Sequence, residues 1–272
     1  MPEGHTIHRF ARLHREDLAG REVAVDSPQG RFVDGARMLD GAVVRGVDAY
    51  GKHLFYRWAA DAKTYTLHVH LGLFGRFVRH DSRAAPAPPP SPATRIRFAT
   101  DAVTIHLAGP TVTELLDAAA EDALRDRLGP DPLARDPDPG PVWLALQRRR
   151  SPIGAVLLDQ RVLVGIGNVY RAEALFLCGI HPDRPADELD RMAFDDLWAT
   201  LRRLLRAGVS DGRIVTVAPG EVGARARATI PDDQRMYVYR RTGEPCRRCG
   251  TPIRSWTLAA RTVSACPRCQ PA

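Results

Sequence analysis

CRRCGTPIRSWTLAARTVSACPRC, the stretch from Cys246 to Cys269, decides how the C-terminal end of this chain folds. It contains two Cys-x2-Cys pairs separated by sixteen residues. Each pair suits a tight turn that points two thiolates at one centre, and the alternating segment between them suits a β-hairpin that closes the centre. Four thiolates complete a tetrahedral zinc shell with no open position, so the metal is expected to be structural and not catalytic. Cys246, Cys249, Cys266 and Cys269 are the expected ligands of one Zn2+ ion; an iron–sulfur cluster fits this spacing less well. So small a finger cannot support its own core, and metal binding must drive its folding. Its arginines, Arg240, Arg241, Arg247, Arg248, Arg254, Arg261 and Arg268, suit bidentate contact with phosphates, which points to DNA.

Working back from the finger, Arg213–Gln234 is polar and arginine-rich and reads as a mobile loop. Before it, helical spacing runs through Val142–Gln147, Pro152–Asp159, Asn168–Cys178 and Glu188–Ala207. The segment from Leu128-Gly129-Pro130 to Pro141 shifts to Asp, Pro and Gly and reads as a linker. Upstream lie short alternating runs at Val23–Asp26, Ala42–Asp48, His53–Trp58, Tyr65–His70, Arg76–His80, Arg95–Ala99 and Val103–Leu107. A helix over His5–Leu18 leads them, and the proline-rich Ala84–Pro92 reads as an exposed loop. The expected class is α+β, with a β-sandwich or barrel first and helices after it. The expected divisions are 1–130, 131–232 and 233–272.

The chain has 272 residues and a net charge of +7, a surplus that permits a polyanionic partner without proving one. No apolar run is long enough to span a membrane, and the N-terminus lacks the features of a signal peptide. A cytoplasmic protein with no membrane association is therefore expected. Five cysteines without an export signal argue against a disulfide framework, and Cys178 reads as a buried thiol. Of 39 basic residues only Lys52 and Lys63 are lysines. A lysine can lose its proton and an arginine effectively cannot, which singles these two out.

The N-terminal Met1-Pro2-Glu3 allows a specific chemistry. A small second residue favours removal of Met1, which would make Pro2 the terminal amine, and an α-amino group titrates about two units below lysine. A neutral secondary amine can attack a sugar C1′ and form an iminium directly. Glu3 could carry protons beside it. Together with Tyr50-Gly51-Lys52, His70-Leu71-Gly72-Leu73-Phe74-Gly75, Arg127-Leu128-Gly129-Pro130-Asp131, Leu157-Leu158-Asp159-Gln160, Gly165-Ile166-Gly167-Asn168-Val169-Tyr170-Arg171-Ala172-Glu173 and the finger, this start resembles the bacterial formamidopyrimidine-DNA glycosylase and endonuclease VIII family across nearly the whole chain. The resemblance implies a β-sandwich with a leading helix, then a helix–two-turns–helix domain carrying the finger, with DNA in the cleft between them. It implies a bifunctional enzyme of base-excision repair, a glycosylase with β/δ lyase activity that needs no cofactor beyond structural zinc. In that picture Pro2 is the Schiff-base nucleophile, Glu3 the proton donor, and Lys52 assists proton transfer and binds phosphate. Arg127, Asn168 and Arg261 bind phosphate, Arg261 also assisting δ-elimination. Leu73 and Phe74 fill the gap left by an extruded base. Asn168 could also cap its helix.

Two positions depart from the family pattern. Thr6 stands where many members have a second carboxylate, and Gly72 where a typical endonuclease VIII has a polar side chain. The His5-Thr6 start looks like an actinobacterial branch of endonuclease VIII, which favours oxidised pyrimidines over 8-oxoguanine as substrates. The expected partner is damaged DNA, duplex with single strands left open, bound by a monomer. The alternatives are a non-catalytic DNA-binding protein of the same fold and a lyase acting mainly at abasic sites.

Overall fold

The structure is a computed structural model in which residues 2–60 and 63–272 are described. The chain divides into two compact units, one holding Glu3 and Ile7–Arg127, the other Gly4–Thr6 and Leu128–Ala272. Met1, whose removal the sequence suggests, lies outside the described residues. Among the described residues no helix is long and apolar enough to cross a membrane.

The first unit contains most of α1 (Gly4–Leu18), then β1 (Ala24–Asp26), α2 (Val33–Leu39), β2 (Val43–Tyr50), β3 (His53–Ala60), β4 (Lys63–His70), β5 (Arg76–Asp81), β6 (Thr94–Ala99), β7 (Val103–Ala108), β8 (Val112–Leu116) and α3 (Ala118–Arg125). Two antiparallel four-stranded sheets form, in the orders β1-β6-β7-β5 and β2-β3-β4-β8. Because side chains alternate along a strand, Leu54, Tyr56 and Trp58 of β3 enter one core with Ile96 and Phe98 of β6 and Ile105 of β7. Ile7, Ala11 and Leu18 of α1 and Leu39 of α2 join that core, so the unit is a sandwich with its leading helix, as expected. The sequence reading missed α2, β8 and α3, each eight residues or fewer. The last of these covers the outer face of β3 and β4, where Glu121 accepts from Arg57 at 2.8 and 3.0 Å, from Arg125 at 2.9 Å and from Thr66 at 3.0 Å.

The second unit is helical: α4 (Gly140–Leu146), α5 (Ile153–Val156), α6 (Asn168–Leu177) and α7 (Arg191–Asp211), followed by the finger strands β9 (Arg254–Leu258) and β10 (Arg261–Ala265). Helix α5 is shorter than predicted. Helix α7 starts three residues later than predicted, because the Asp190 side chain caps it by accepting from Ala193 N–H at 2.7 Å, and it runs on to Gly212 in the left-handed region. Between α5 and α6 the side chain of Gln160 staples the turns, donating to Leu158 and Ile166 carbonyls and accepting from Gly165 N–H at 3.0 Å. Residues 213–234, expected to be a mobile loop, fold into three short 3-10 turns instead. Arg213 pins them by donating to the carbonyls of Arg227, Ala228 and Ile230.

Candidate functional site

Pro2 and Glu3 precede α1. Glu3 occupies the N-cap position but its side chain does not cap the helix, and it is only 1% exposed. Gly4 is fixed within the second unit: its N–H donates to Gly165 O at 2.8 Å, and a Cβ there would lie 2.8 Å from Gly165 Cα. Only glycine permits that approach, so the residue joined to Glu3 has a determined position.

Lys52 sits in the two-residue turn between β2 and β3, where Tyr50 pairs with His53. Gly51 takes φ +58° at the first central position, as a tight hairpin turn of this kind requires. Beside the turn, three histidines that the sequence reading did not single out share the outer face of β3 and β4. His53 Nδ1 and His68 Nε2 are 2.9 Å apart, His68 Nδ1 lies 2.9 Å from Glu114 Oε1, and the His53 and His70 rings are 4.9 Å apart. Burial, then His70, His68 and the Lys52 charge, push His53 down to about 3. Burial, with His68 and Lys52 adding to it, also lowers His70, and burial lowers His68 against the opposing pull of Glu114. A period-two histidine pattern at 68 and 70, paired in register with 55 and 53, was the available sequence signal.

The turn from Leu71 to Gly75 closes with Gly75 N–H donating to Leu71 O at 3.0 Å. Leu71 is buried, whereas Leu73 and Phe74 at the tip are 53% and 82% exposed, so neither is core. Gly72 has φ +64°, and a Cβ there would overlap Thr111 Oγ1. The missing polar side chain at this position is therefore a requirement of the local backbone. Arg127, at the end of this unit, is exposed and donates to Ala123 O at 3.1 Å.

In the second unit the structure brings Asn168 and Arg261 to one hollow of about 360 Å³, lined also by Tyr239, Arg240 and Thr262. Asn168 is the first residue of α6 and Gly167 its N-cap, with no side-chain cap; the capping role is not the one adopted. Its amide instead donates to Thr262 O at 2.9 Å, and the fully buried Arg171 donates to Asn168 Oδ1 and to Thr262 O at 3.0 Å. Glu173 on the same helix, 0% exposed, accepts from three successive N–H groups, Tyr237, Val238 and Tyr239, at 2.8–2.9 Å, and from the Thr216 hydroxyl. This carboxylate sets the segment that carries Tyr239 to the hollow. Arg171 and Glu173 belong to a quoted motif, but nothing local in the sequence announces these partners.

The four finger cysteines converge, their sulfurs all within 4.8 Å of one another. Sγ separations of 3.9 Å (Cys246–Cys269) and 3.4 Å (Cys249–Cys266) fit the ~3.8 Å expected between thiolates around tetrahedral zinc. Arg248 N–H and Cys269 N–H each point at the sulfur of the preceding cysteine of their pair, at 3.4 Å. This donor set holds one structural zinc ion. The finger is not a separate body: Cys246, Ile253 and Cys266 share a core with Phe176 of α6 and with Tyr237. Not all its arginines are available to a partner. Arg241 is buried on Glu244 and two carbonyls, Arg247 binds the carbonyls of Met236 and Asp233, and Arg248 stacks over Phe176 and Tyr237.

A sandwich led by a helix, a helical unit with a stapled double turn and a four-cysteine hairpin define a class of protein, and three family profiles match in that order. They describe the formamidopyrimidine-DNA glycosylase N-terminal domain over residues 1–114, its H2TH domain over 128–218, and the zinc finger found in FPG and IleRS over 243–272. The chain belongs to the formamidopyrimidine-DNA glycosylase family. It is 45% identical to "Endonuclease 8 1" of Mycobacterium tuberculosis, over 99% of this chain and 100% of that one. It is 34% identical to the formamidopyrimidine-DNA glycosylase of Thermomicrobium roseum, over 97% and 82% respectively. The expected leaning towards an actinobacterial endonuclease VIII branch agrees with these figures. The structure of Lactococcus lactis Fpg with abasic-site DNA shares the fold, with a TM-score of 0.81 at 22% identity over 99% of this chain and 100% of that one.

Proposed function

We propose that this protein is a bifunctional DNA glycosylase and abasic-site lyase of base-excision repair. The observation that carries the reading is a chain that carries Pro2, Glu3 and Lys52 and is related end to end to an endonuclease 8 and, over nearly its whole length, to a formamidopyrimidine-DNA glycosylase. The N-terminal unit, 1–130, provides the chemistry; 131–232 and the finger, 233–272, hold damaged DNA. With Met1 removed, the Pro2 amine bonds to C1′ as the glycosidic bond to the damaged base breaks. The ring oxygen then leaves C1′, taking a proton that Glu3 supplies, and an iminium remains. Loss of a C2′ proton to a base assisted by Lys52 expels the 3′ phosphate; a second elimination, helped by Arg261, expels the 5′ phosphate.

Arg127, Asn168 and Arg261 take phosphates, and the hollow shared by Asn168 and Arg261 supports their acting together. The exposed tip residues Leu73 and Phe74 suit the space vacated by the extruded base, offsetting part of the few kcal/mol that flipping requires. The protein acts as a monomer on duplex DNA. Higher identity to relatives named endonuclease 8, with the His5-Thr6 start, favours oxidised pyrimidines over 8-oxoguanine.

Borohydride trapping tests the reading. Wild-type protein incubated with an abasic-site duplex, beside Pro2→Gly and an N-terminally extended form, should give a covalent adduct that maps to Pro2 and disappears on N-terminal extension. DNA binding without adduct or strand scission would refute it in favour of a non-catalytic binder. Turnover on abasic sites alone, with none on thymine glycol, would leave only the lyase.

A further inference from the structure

The outer face of β3, β4 and β8 carries a chain of acceptors and donors whose direction can be worked out. Glu114 is a carboxylate and can only accept, so His68 Nδ1, 2.9 Å away, must carry the proton. A neutral imidazole has one N–H, so His68 Nε2 is bare. His53 Nδ1, 2.9 Å from it, must then be the donor. By the same rule His53 Nε2 is bare, an acceptor at the end of the chain and on the residue that follows Lys52. Phe55 stacks on His68 at 5.2 Å and Arg125 lies 4.4 Å over Phe55, which closes the row from the side of α3.

We infer that Glu114, His68 and His53 form a tautomer relay that leaves His53 Nε2 unprotonated on the residue next to Lys52, with His53 as a positioning residue for that lysine. The charged and titratable groups that face the relay among the described residues include Lys52 from the turn, Asp48 and Tyr50 from β2, Arg57 from β3, His70 from β4, and Glu121 and Arg125 from α3. Arg57 pairs with Glu121 and Asp48, and Arg125 pairs with Glu121. His70 accepts the Gly72 N–H on its Nδ1 at 3.2 Å and is held neutral, so it too offers no second cation to the lysine. The relay thus surrounds the lysine turn with neutral imidazoles, and it ties that turn and the Leu71–Gly75 turn to one row of rings.

The functional part of this inference rests on the role of Lys52 proposed above, whereas the tautomers can be read independently. Two-bond proton–nitrogen correlation on histidine-labelled full-length protein should show His53 and His68 neutral at pH 7, each protonated on Nδ1. A protonated Nε2 on either ring overturns the relay whether or not the protein is active. Turnover on abasic-site duplex then tests positioning. His53→Asn keeps a donor towards His68 but has nothing where Nε2 stood, whereas His53→Gln places its carbonyl there. Asn should lower the single-turnover rate at least about tenfold and Gln should restore most of it. Equal rates for the two variants, at equal melting temperature, overturn the positioning role. A wild type that gives no adduct at all, with the tautomers as stated, would refute the catalytic reading on which the positioning role rests and leave the relay standing.

Discussion

Glu173→Gln isolates what one buried carboxylate does. The native side chain accepts four hydrogen bonds with no exposure to water, from Tyr237, Val238 and Tyr239 N–H and from Thr216. The amide of Gln has one oxygen, which can keep two of these donors. Its NH2 group then faces the other two and adds two more donors to a site that needs acceptors. Hydrogen bonds to a charged acceptor contribute about 1.5–3 kcal/mol each, so two lost bonds remove ~3–6 kcal/mol. Neutralising the charge recovers part of its desolvation penalty, which places the net loss near ~3 kcal/mol. For a unit of this size that is a drop of roughly 6–12 °C in melting temperature. Differential scanning calorimetry of the zinc-loaded protein reads it directly, with zinc content assayed alongside. The variant should also bind abasic-site duplex more weakly, because the Tyr239 segment loses its fixed position. A shift below about 2 °C with unchanged DNA affinity would refute the assignment of Glu173 as the holder of this segment.

Four further outcomes are expected. His14, buried among Phe10, Tyr56 and Phe77 and bonded to the Tyr56 hydroxyl at 2.6 Å, is pushed down to about 4, chiefly by burial. Its unfolded form takes up a proton near 6.5 that the folded form refuses, so stability present above that pH declines as pH falls towards 4; urea titrations should find that slope reduced in His14→Gln. Gly72→Ala should cost about 1–3 kcal/mol through overlap with Thr111 and its positive φ, and Thr111→Gly should relieve the overlap but not the backbone part, as a double-mutant cycle would read. Replacing Ala259-Ala260, both left-handed at φ +51° and +56°, by Asn-Gly should stabilise the finger hairpin by about 1–2 kcal/mol in thermal unfolding. Chelating the metal, or Cys266→Ser, should abolish stoichiometric zinc and DNA binding together, as metal analysis and a gel-shift assay would show.

What could be read from sequence was whatever repeats at short range or sits in a spaced motif. The cysteine pairs identify their metal from spacing alone, and alternating apolar residues such as Leu54, Tyr56 and Trp58 give both the strand and its buried face. Short elements escaped because seven or eight residues carry barely two helical turns of pattern. Helix α3 is dominated by Ala, Asp and Glu, and polar and ring contacts with β3 and β4 hold it: Glu121 with Arg57 and Thr66, and Arg125 over Phe55. Leu73 and Phe74 fit an apolar core equally well by composition; the closed Leu71–Gly75 turn is what leaves them exposed. The His53–His68–Glu114 row was illegible for another reason, since its members meet only through strand register, 15 and 46 residues apart.

Asn168, Arg171 and Glu173 of α6 and Gln270 at the end of the finger have one trait in common. Their partners across to the finger, to the segment before it and to the helical body are mostly backbone atoms: Thr262 O, Gly154 O, Ile180 O and the N–H groups of 237–239. The polar side chains of helix α6 therefore grip a path of main chain, while its Phe176 packs in one core with the side chains of Tyr237, Ile253 and Cys266. A hairpin with the same zinc geometry and an apolar residue at 253 should seat on this helix unchanged, which leaves the outward surface of the finger open to rapid divergence, or to grafting, without loss of the docked arrangement.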